Sequence, residues 1–148
     1  MSNHQHPAAQ AIDTYLQLCE DRRLEEATDY LADGVQLIFP GNRNYATLQE
    51  MAQASKGRYA WVKKHRTDYS VGERTAPDGT QEQVVTSIGT LYGEKLDGTP
   101  FEGIRYIDVF TVRDGRIVRQ EVWNDLAESG VLQTSTETTA QPSEGTPA

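Results

Sequence analysis

The residue in this chain best suited to chemistry is Asp108, which interrupts an otherwise apolar stretch at residues 106–112. This composition predicts a strand with at least one buried face, and alternation places Tyr106, Asp108 and Phe110 on the same side. Burying an ionised carboxylate alone costs several kcal/mol, so Asp108 must be paired, hydrogen-bonded or protonated there. Asp108 is therefore a candidate for a chemical role, and a structural ion pair with Arg105 or Arg119 is the alternative.

Two further side chains could act with Asp108. Tyr15 lies on the apolar face of a predicted helix, either as a core tyrosine with its hydroxyl at the rim or as a hydrogen-bond donor to a ligand. His65 lies in the cationic run 63–66, which indicates either a solvated patch or a catalytic imidazole that its surroundings keep neutral.

Helical spacing of apolar residues predicts three helices ahead of the strand that carries Asp108. The first spans about residues 8–21, and the second is short, with Leu24, Ala27 and Leu31 on one face. The third begins at Thr47, where Glu50 completes a capping box, and its core-facing side extends to Tyr59.

Turn-forming residues divide the rest of the chain into strands at residues 35–39, 65–76, 81–94, 101–112 and 117–125. Gly89 and Gly93 are plausible bulges that let these long strands bend. Helices followed by an antiparallel meander predict an α+β fold in which a curved antiparallel sheet wraps over the N-terminal helices. The concave side of that sheet would form a pocket.

The register of the last hairpin decides which residue faces Asp108. A two-residue turn at Asp114-Gly115 would place Glu121 opposite it, whereas a three-residue loop at 113–115 would place Gln120 there. We favour the three-residue loop, because the alternative sets two carboxylates side by side. The favoured register also puts Val118, Gln120, Val122 and Asn124 on the Asp108 face, and it turns Arg119, Glu121 and Trp123 outward.

Charge and composition narrow the range of partners. The net charge of −8 repels phosphate backbones and anionic membranes, so neither nucleic acid nor a membrane is expected as a partner. The single cysteine, Cys19, rules out an intramolecular disulfide. His4 and His6 are the only close histidine pair and lack a third ligand at suitable spacing, so no metal and no cofactor is expected.

The organisation predicted from these patterns is a single domain at residues 8–132 between disordered ends at 1–7 and 133–148. No apolar run approaches the roughly 18 residues of a membrane span, and residues 1–10 contain no signal-like apolar stretch. A soluble cytoplasmic protein is therefore expected.

The order of elements, together with the segment 103–118 and the sequence Val-Trp-Asn-Asp-Leu at 122–126, resembles the SnoaL-like branch of the nuclear transport factor 2-like (NTF2-like) superfamily. The resemblance covers about residues 8–132. It implies a cone-shaped α+β barrel. Members include polyketide cyclases, ketosteroid isomerases, epoxide hydrolases, scytalone-type dehydratases and many proteins without catalysis, so the resemblance implies the fold more firmly than the function.

Site residues are implied one at a time by this resemblance. Tyr15 and Asp108 occupy the places of the tyrosine and the carboxylic acid that donate hydrogen bonds to the substrate oxygen in ketosteroid isomerases. This chain has Phe39 at the first-strand position where the isomerases have their general base. The last-strand position of the catalytic aspartate of the hydrolases and cyclases falls near Val122. His65 is similar in position to a histidine of scytalone-type dehydratases.

Two functions follow as expectations. The first is a cofactor-independent enzyme that performs cyclisation, isomerisation or dehydration by acid–base proton transfer on a small apolar carbonyl or hydroxyl compound, with Asp108, Tyr15 and His65 as catalytic residues. The residues expected to surround the substrate are Leu31, Phe39, Tyr106, Phe110, Gln120, Val122 and Asn124. The second is a non-catalytic domain of the same fold that binds a small ligand or dimerises, and a homodimer is expected in either case.

Overall fold

The computed structural model describes residues 6–132, so the predictions of disorder at residues 1–5 and 133–148 lie outside the described residues. Helix α1 spans Pro7–Glu20. It starts at Pro7 because proline suits the first helical position, and because a nitrogen of the His6 side chain accepts a hydrogen bond from the Ala8 backbone N–H at 3.1 Å. The sequence predicted that Pro7 belongs to a disordered end, but Pro7 is the first residue of α1.

Two shorter helices follow, α2 at Leu24–Thr28 and α3 at Leu48–Ser55. The predicted cap of α3 is confirmed, since Thr47 Oγ1 accepts a hydrogen bond from the Glu50 backbone N–H at 3.1 Å. The prediction that α2 reaches Leu31 is wrong, because Leu31 already begins a strand. Tyr59 lies beyond the end of α3 and not on its core-facing side.

Within residues 6–132, six strands form the sheet, one more than predicted. They are β1 Leu31–Phe39, β2 Arg43–Tyr45, β3 Trp61–Thr75, β4 Gln81–Glu94, β5 Pro100–Arg113 and β6 Arg116–Asn124. The missed strand is β2, whose three residues are too short to show a period. Strand β1 begins before the predicted turn residues, and the irregular pairing between Leu31 and Gln36 accommodates Gly34 at φ +76°.

The strands lie in the order β2-β1-β6-β5-β4-β3 and form one open, curved sheet. The α+β fold with a curved sheet over the N-terminal helix is confirmed. The expectation of a wholly antiparallel sheet is wrong, because β1 runs parallel to β6 and makes the sheet mixed. The apolar face of α1, including Ile12 and Leu16, packs into the concave side of the sheet against Leu37, Val85 and Phe110. Among residues 6–132, no helix is long and apolar enough to cross a membrane.

The two glycines predicted to be bulges lie where strands β3 and β4 approach closely. The pairing register shifts on β3 at Thr67, opposite Gly89, and a Cβ atom at Gly89 would overlap the His65 carbonyl oxygen. A Cβ atom at Gly93 would similarly overlap the Trp61 carbonyl oxygen. At these two points the backbone of β3 lies too close to β4 for any side chain, so only glycine fits.

The last hairpin has neither of the two registers considered from sequence. Asp114 and Gly115 form a two-residue turn with φ +50° and +76°, and not the three-residue loop that we favoured. An irregularity between the Thr111–Arg119 and Val112–Ile117 pairs then shifts the pairing by one residue, so that Val122 lies opposite Asp108. This irregularity keeps Gln120, Val122 and Asn124 on the Asp108 face, as predicted. Ile117, and not Val118, is the buried partner of Val112.

Candidate active site

Asp108 lies in the middle of β5, paired with Ser87 of β4 on one side and with Val122 of β6 on the other. Its side chain is 0% exposed. Neither carboxylate oxygen has a hydrogen-bond partner among the described residues. A buried carboxyl group without such a partner is unusual in a folded protein, and functional sites are one of the common reasons for it.

The cation next to Asp108 is Lys64, a residue that the sequence analysis did not select. Its Nζ atom lies 3.7 Å from Asp108 Oδ2, which is an ion-pair distance but too long for a direct hydrogen bond. The same Nζ atom lies 5.1 Å from the centroid of the Tyr106 ring. The Lys64 backbone N–H donates to Glu20 Oε2 at 2.8 Å, so helix α1 fixes the strand at this point.

The environment of Asp108 acts on its pKa in two opposed ways. Burial raises the pKa because the ionised form loses its hydration, and the ammonium group of Lys64 lowers it. The effect of burial is larger, so the pKa of Asp108 lies above its ordinary value. A carboxyl group tuned in this way is a stronger base than an exposed aspartate and can exchange its proton closer to neutral pH.

Tyr15 is completely buried, and its hydroxyl donates a hydrogen bond of 2.8 Å to Gln120 Oε1. Its ring packs edge-on against Phe110, with the centroids 5.9 Å apart. Burial raises the pKa of Tyr15 well above its ordinary value, so the hydroxyl keeps its proton. Burial also raises the pKa of the neighbouring Cys19 thiol to about 11. Both groups are therefore neutral near pH 7, and Tyr15 is a hydrogen-bond donor there.

A small pocket of about 80 Å³ lies between helices α1 and α3 and the concave side of the sheet. Its lining combines apolar side chains with the polar groups described above and includes Tyr15, Cys19, Phe39, Met51, Lys64 and Val122. Gln120 lines it as well. Three of the predicted ligand contacts, Phe39, Gln120 and Val122, therefore do border a pocket. Asp108 lies directly behind this lining, in contact with Lys64 and paired with Val122.

The other four predicted contacts do not line this pocket. Leu31 and Phe110 belong to the main hydrophobic core, where contacts with other side chains occupy them. Tyr106 packs in a second cluster with Leu91 and Ile104, and its hydroxyl is 2.9 Å from Ser87 Oγ. The side chain of Asn124 accepts a hydrogen bond from the Leu126 backbone N–H at 3.2 Å. Sharing a strand face with Asp108 is thus not sufficient to reach the pocket.

His65 is not placed to move a proton at Asp108. The residue is exposed, and its ring stacks on Tyr92 with the centroids 4.2 Å apart. Residues of β3 alternate between the two faces of the sheet, so Lys64 points inward and His65 outward. The irregularity at Thr67 reverses this alternation before Tyr69, which is buried. The cationic run 63–66 is therefore part of a strand, and period-two alternation was the signal that could have identified Lys64.

No family model matches the chain, and no curated protein matches it. Solved structures do match. An NTF2-like protein of unknown function from Burkholderia pseudomallei is 16% identical over 86% of this chain and 98% of its own, with a TM-score of 0.69. TerC, co-crystallised with polyporic acid, is 18% identical over 85% of this chain and 97% of its own, with a TM-score of 0.65.

A candidate polyketide cyclase from Xanthomonas campestris is 16% identical over 82% of this chain and 93% of its own, with a TM-score of 0.57. At these identities the matches show the fold and not the activity. The chain has the NTF2-like α+β fold, which confirms the fold that the sequence resemblance implied.

Proposed function

We propose that this protein is a cofactor-independent enzyme that performs acid–base proton transfer on a small, mostly apolar carbonyl or hydroxyl compound, in an isomerisation, cyclisation or dehydration. The observation that carries the proposal is the environment of Asp108. Its carboxyl group is fully buried, accepts no hydrogen bond from a described residue, and lies 3.7 Å from an ammonium group that borders a pocket.

Asp108 is the proton-transfer group in this proposal. When substrate binds, the Lys64 side chain, which lies between Asp108 and the pocket, turns toward the substrate oxygen and opens the way to Asp108. The Asp108 carboxylate then removes a proton from a carbon next to the substrate carbonyl, and the electron pair of that C–H bond moves toward the carbonyl oxygen. The proton held by Asp108 then returns to a different carbon in an isomerisation, or to a leaving hydroxyl in a dehydration. Because burial raises the pKa of Asp108, the same group can accept the proton and release it.

Tyr15 and Lys64 stabilise the negative charge that develops on the substrate oxygen. Both line the pocket, Tyr15 with a neutral O–H donor and Lys64 with an N–H donor. Donors that a folded structure holds in a site shielded from water stabilise a developing oxyanion strongly. Tyr15 donates to Gln120 in this structure, so a bound substrate oxygen replaces Gln120 as its acceptor.

Two of the structurally similar proteins support this substrate class. One is a candidate polyketide cyclase, and another, TerC, was crystallised with the small organic molecule polyporic acid. Their sequences are too distant for the reaction to be transferred to this chain, but small organic compounds are suitable first substrates.

The test uses a set of small neutral compounds with a proton that this chemistry would remove: phenylacetone, a β,γ-unsaturated cyclic ketone and a β-hydroxyketone. Deuterium uptake at carbon and formation of the conjugated product are followed by NMR in D2O, against the rate without protein. We expect an acceleration that falls about 100-fold in Asp108→Asn, because the proton acceptor is lost. In Tyr15→Phe we expect a smaller loss, because one of two donors remains.

Arg116→Gln is the control, since it removes a charge at the exposed β5–β6 turn far from the pocket. It should keep the full rate. An acceleration that survives in Asp108→Asn, or no acceleration by the wild-type protein with any of the three compounds, would contradict the proposal.

A non-catalytic ligand-binding or dimerisation domain is the second candidate function. The narrow pocket of about 80 Å³ favours it. So do the apolar Phe39 and Val122, which stand where the sequence resemblance implies the catalytic carboxylates of isomerases, hydrolases and cyclases. The outer face of the sheet also carries an apolar stripe of Ile88, Ile107 and Trp123, which are 42%, 36% and 51% exposed and lie on neighbouring strands.

A second copy of the chain is the occupant that we propose for this stripe. Arg105 and Asp125 flank it and form an ion pair, so its edge carries both signs of charge, which suits a self-complementary twofold contact. Analytical ultracentrifugation should give a dimer that Trp123→Glu converts to a monomer. A monomeric wild-type protein at about 50 μM would remove this proposal, since stable interfaces of standard size persist at that concentration.

A further inference from the structure

Arg22 has a backbone conformation that its side chain does not favour. It follows α1 with φ +58°, and it closes the helix through hydrogen bonds from the Arg22 N–H to Cys19 O and from the Arg23 N–H to Leu18 O. Glycine is the usual residue at this position of a helix end. The other two non-glycine residues with positive φ among those described are Asn42 and Asp114, whose types tolerate it more readily. An arginine held here suggests that its side chain has a function.

The guanidinium group of Arg22 is bound only weakly. Nη1 donates to the Cys19 carbonyl oxygen at 3.3 Å and Nη2 donates to Ser55 Oγ at 3.4 Å, and both acceptors are neutral. No carboxylate of the described residues forms an ion pair with it. Arg22 is exposed as a residue, so its side chain can exchange these long bonds for a stronger acceptor without breaking the core.

The position of Arg22 connects the pocket to solvent. Arg22 and Tyr59 line the pocket of about 80 Å³, and both also line an open groove of about 470 Å³ beside α3. The guanidinium group therefore lies at the boundary between the interior and the outside. A ligand too large for the pocket alone would extend past Arg22 into this groove.

The other charged side chains that line the pocket contact other groups of the protein. Lys64 pairs with Asp108, and Glu20 accepts hydrogen bonds from the Lys64 backbone and from Arg66. Lys63 also borders the pocket, but its Nζ atom lies 5.9 Å from the centroid of the exposed Trp61 ring. Arg22 thus supplies positive charge that no described carboxylate neutralises, in a protein whose net charge is −8.

We propose that Arg22 binds the carboxylate of the ligand, so that the substrate class is a small organic acid with its reacting carbonyl or hydroxyl group at the other end. The inference rests on the proposed function in that it places the ligand in the same pocket. Planar guanidinium and carboxylate groups form two parallel charge-assisted hydrogen bonds, which replace the two long bonds to neutral acceptors. The acid end then lies at Arg22, and the end with the reacting carbonyl or hydroxyl group reaches toward Lys64 and Asp108.

Binding of phenylacetate and its isosteric neutral amide, phenylacetamide, tests this inference without requiring any turnover. Dissociation constants are measured by NMR titration at low ionic strength. We expect the wild-type protein to bind phenylacetate at least about tenfold more tightly than phenylacetamide, which corresponds to one charge-assisted contact. In Arg22→Gln this preference should fall to about one.

Two matched variants separate the effect of Arg22 from general electrostatics and from folding. Arg116→Gln removes the same charge at the exposed β5–β6 turn, far from the pocket, and should keep most of the preference. Arg22→Gly relieves the positive φ, so it should unfold at a temperature equal to or above that of the wild-type protein and still lose the preference. Loss of the preference in this variant could not be attributed to unfolding.

Equal binding of the acid and the amide by the wild-type protein, binding of neither, or a preference that survives in Arg22→Gln and Arg22→Gly would overturn the inference. The outcome is distinguishable from failure of the proposed function. The turnover test uses neutral compounds and depends on Asp108, whereas the acid preference should persist in Asp108→Asn.

Discussion

The Nζ atom of Lys64 lies 3.7 Å from Oδ2 of Asp108, across the concave side of the sheet from β3 to β5. The Asp108 side chain is fully buried, and that of Lys64 is 24% exposed. Strand β4 lies between the two strands, so the pair joins residues that are not neighbours in the ladder. It is the only ion pair among the described residues in which one partner has no exposed surface. The pair keeps an ionisable carboxyl group inside the protein beside a pocket.

The stability of Asp108→Asn relative to the wild-type protein should rise with pH. Burial raises the pKa of Asp108 in the folded state above its unfolded-state value of about 3.9. Below the unfolded-state pKa, Asp108 is protonated in both states and has no effect. As pH rises above it, ionisation of Asp108 increasingly destabilises the folded protein, and the full loss is reached above the folded-state pKa. The asparagine in the variant cannot ionise, so the free energy of unfolding of the variant increases relative to that of the wild-type protein as pH rises above about 4. Urea unfolding at acid, neutral and basic pH measures the difference.

Asp29→Asn, at an exposed position after α2, is the control and should show a much smaller change with pH. A difference between Asp108→Asn and the wild-type protein that stays constant or shrinks with rising pH would contradict a raised pKa.

Replacing Lys64 by methionine should raise the pKa of Asp108 further. Lys64 is the group that lowers this pKa, and burial remains when the ammonium group is removed. The carboxyl carbon resonance of Asp108, followed by carbon-13 NMR titration, reports the pKa directly. Lys63→Met removes the same charge from the exposed neighbouring residue of β3, which forms no ion pair with Asp108, and should have a smaller effect. An unchanged pKa in Lys64→Met would mean that the two groups do not interact in solution.

Tyr15→Phe should destabilise the protein by about 1–3 kcal/mol. The substitution removes the donor to Gln120 Oε1, and Gln120 is 4% exposed, so its oxygen is left without this partner in a buried position. Thermal or urea unfolding measures the loss. Tyr30→Phe is the matched control, because the Tyr30 hydroxyl makes no hydrogen bond to a described residue. Equal effects of the two substitutions would show that the Tyr15 hydrogen bond contributes little.

Cys19 should react slowly with thiol reagents in the folded protein near neutral pH. Burial raises the pKa of its thiol to about 11, so the reactive thiolate is a very small fraction at pH 7. The rate with a disulfide reagent should increase steeply as pH rises, and unfolding in urea should make the reaction fast. Rapid reaction of the folded protein at pH 7 would indicate that the pocket opens readily or that the pKa is near its ordinary value.

Gly89→Ala should destabilise the protein by about 1–3 kcal/mol, because the new methyl group overlaps the His65 carbonyl oxygen and the two strands must separate. Gly72→Ala, on the neighbouring strand, adds the same methyl group where no atom lies within 4 Å and should be nearly neutral. Comparison of the two unfolding midpoints gives the result. Similar midpoints would mean that the sheet adapts at Gly89.

The sequence by itself determined the class of fold, most element positions and the burial of Asp108. These follow from short-range rules: apolar period, capping at Thr47 and glycine-containing turns predict local structure, and strand alternation placed Asp108 with Tyr106 and Phe110. Alternation also assigned Gln120, Val122 and Asn124 to the correct face, even though the turn and the register were predicted wrongly.

Only the tertiary structure decided which polar groups meet. Lys64 reaches Asp108 because the curved sheet brings β3 over β5, and local sequence does not encode that distance. The inward direction of Lys64, and the outward direction of His65, depend on the phase of β3 relative to its irregularity at Thr67. The parallel pairing of β1 with β6 and the position of Arg22 at the pocket likewise depend on contacts between residues far apart in the chain.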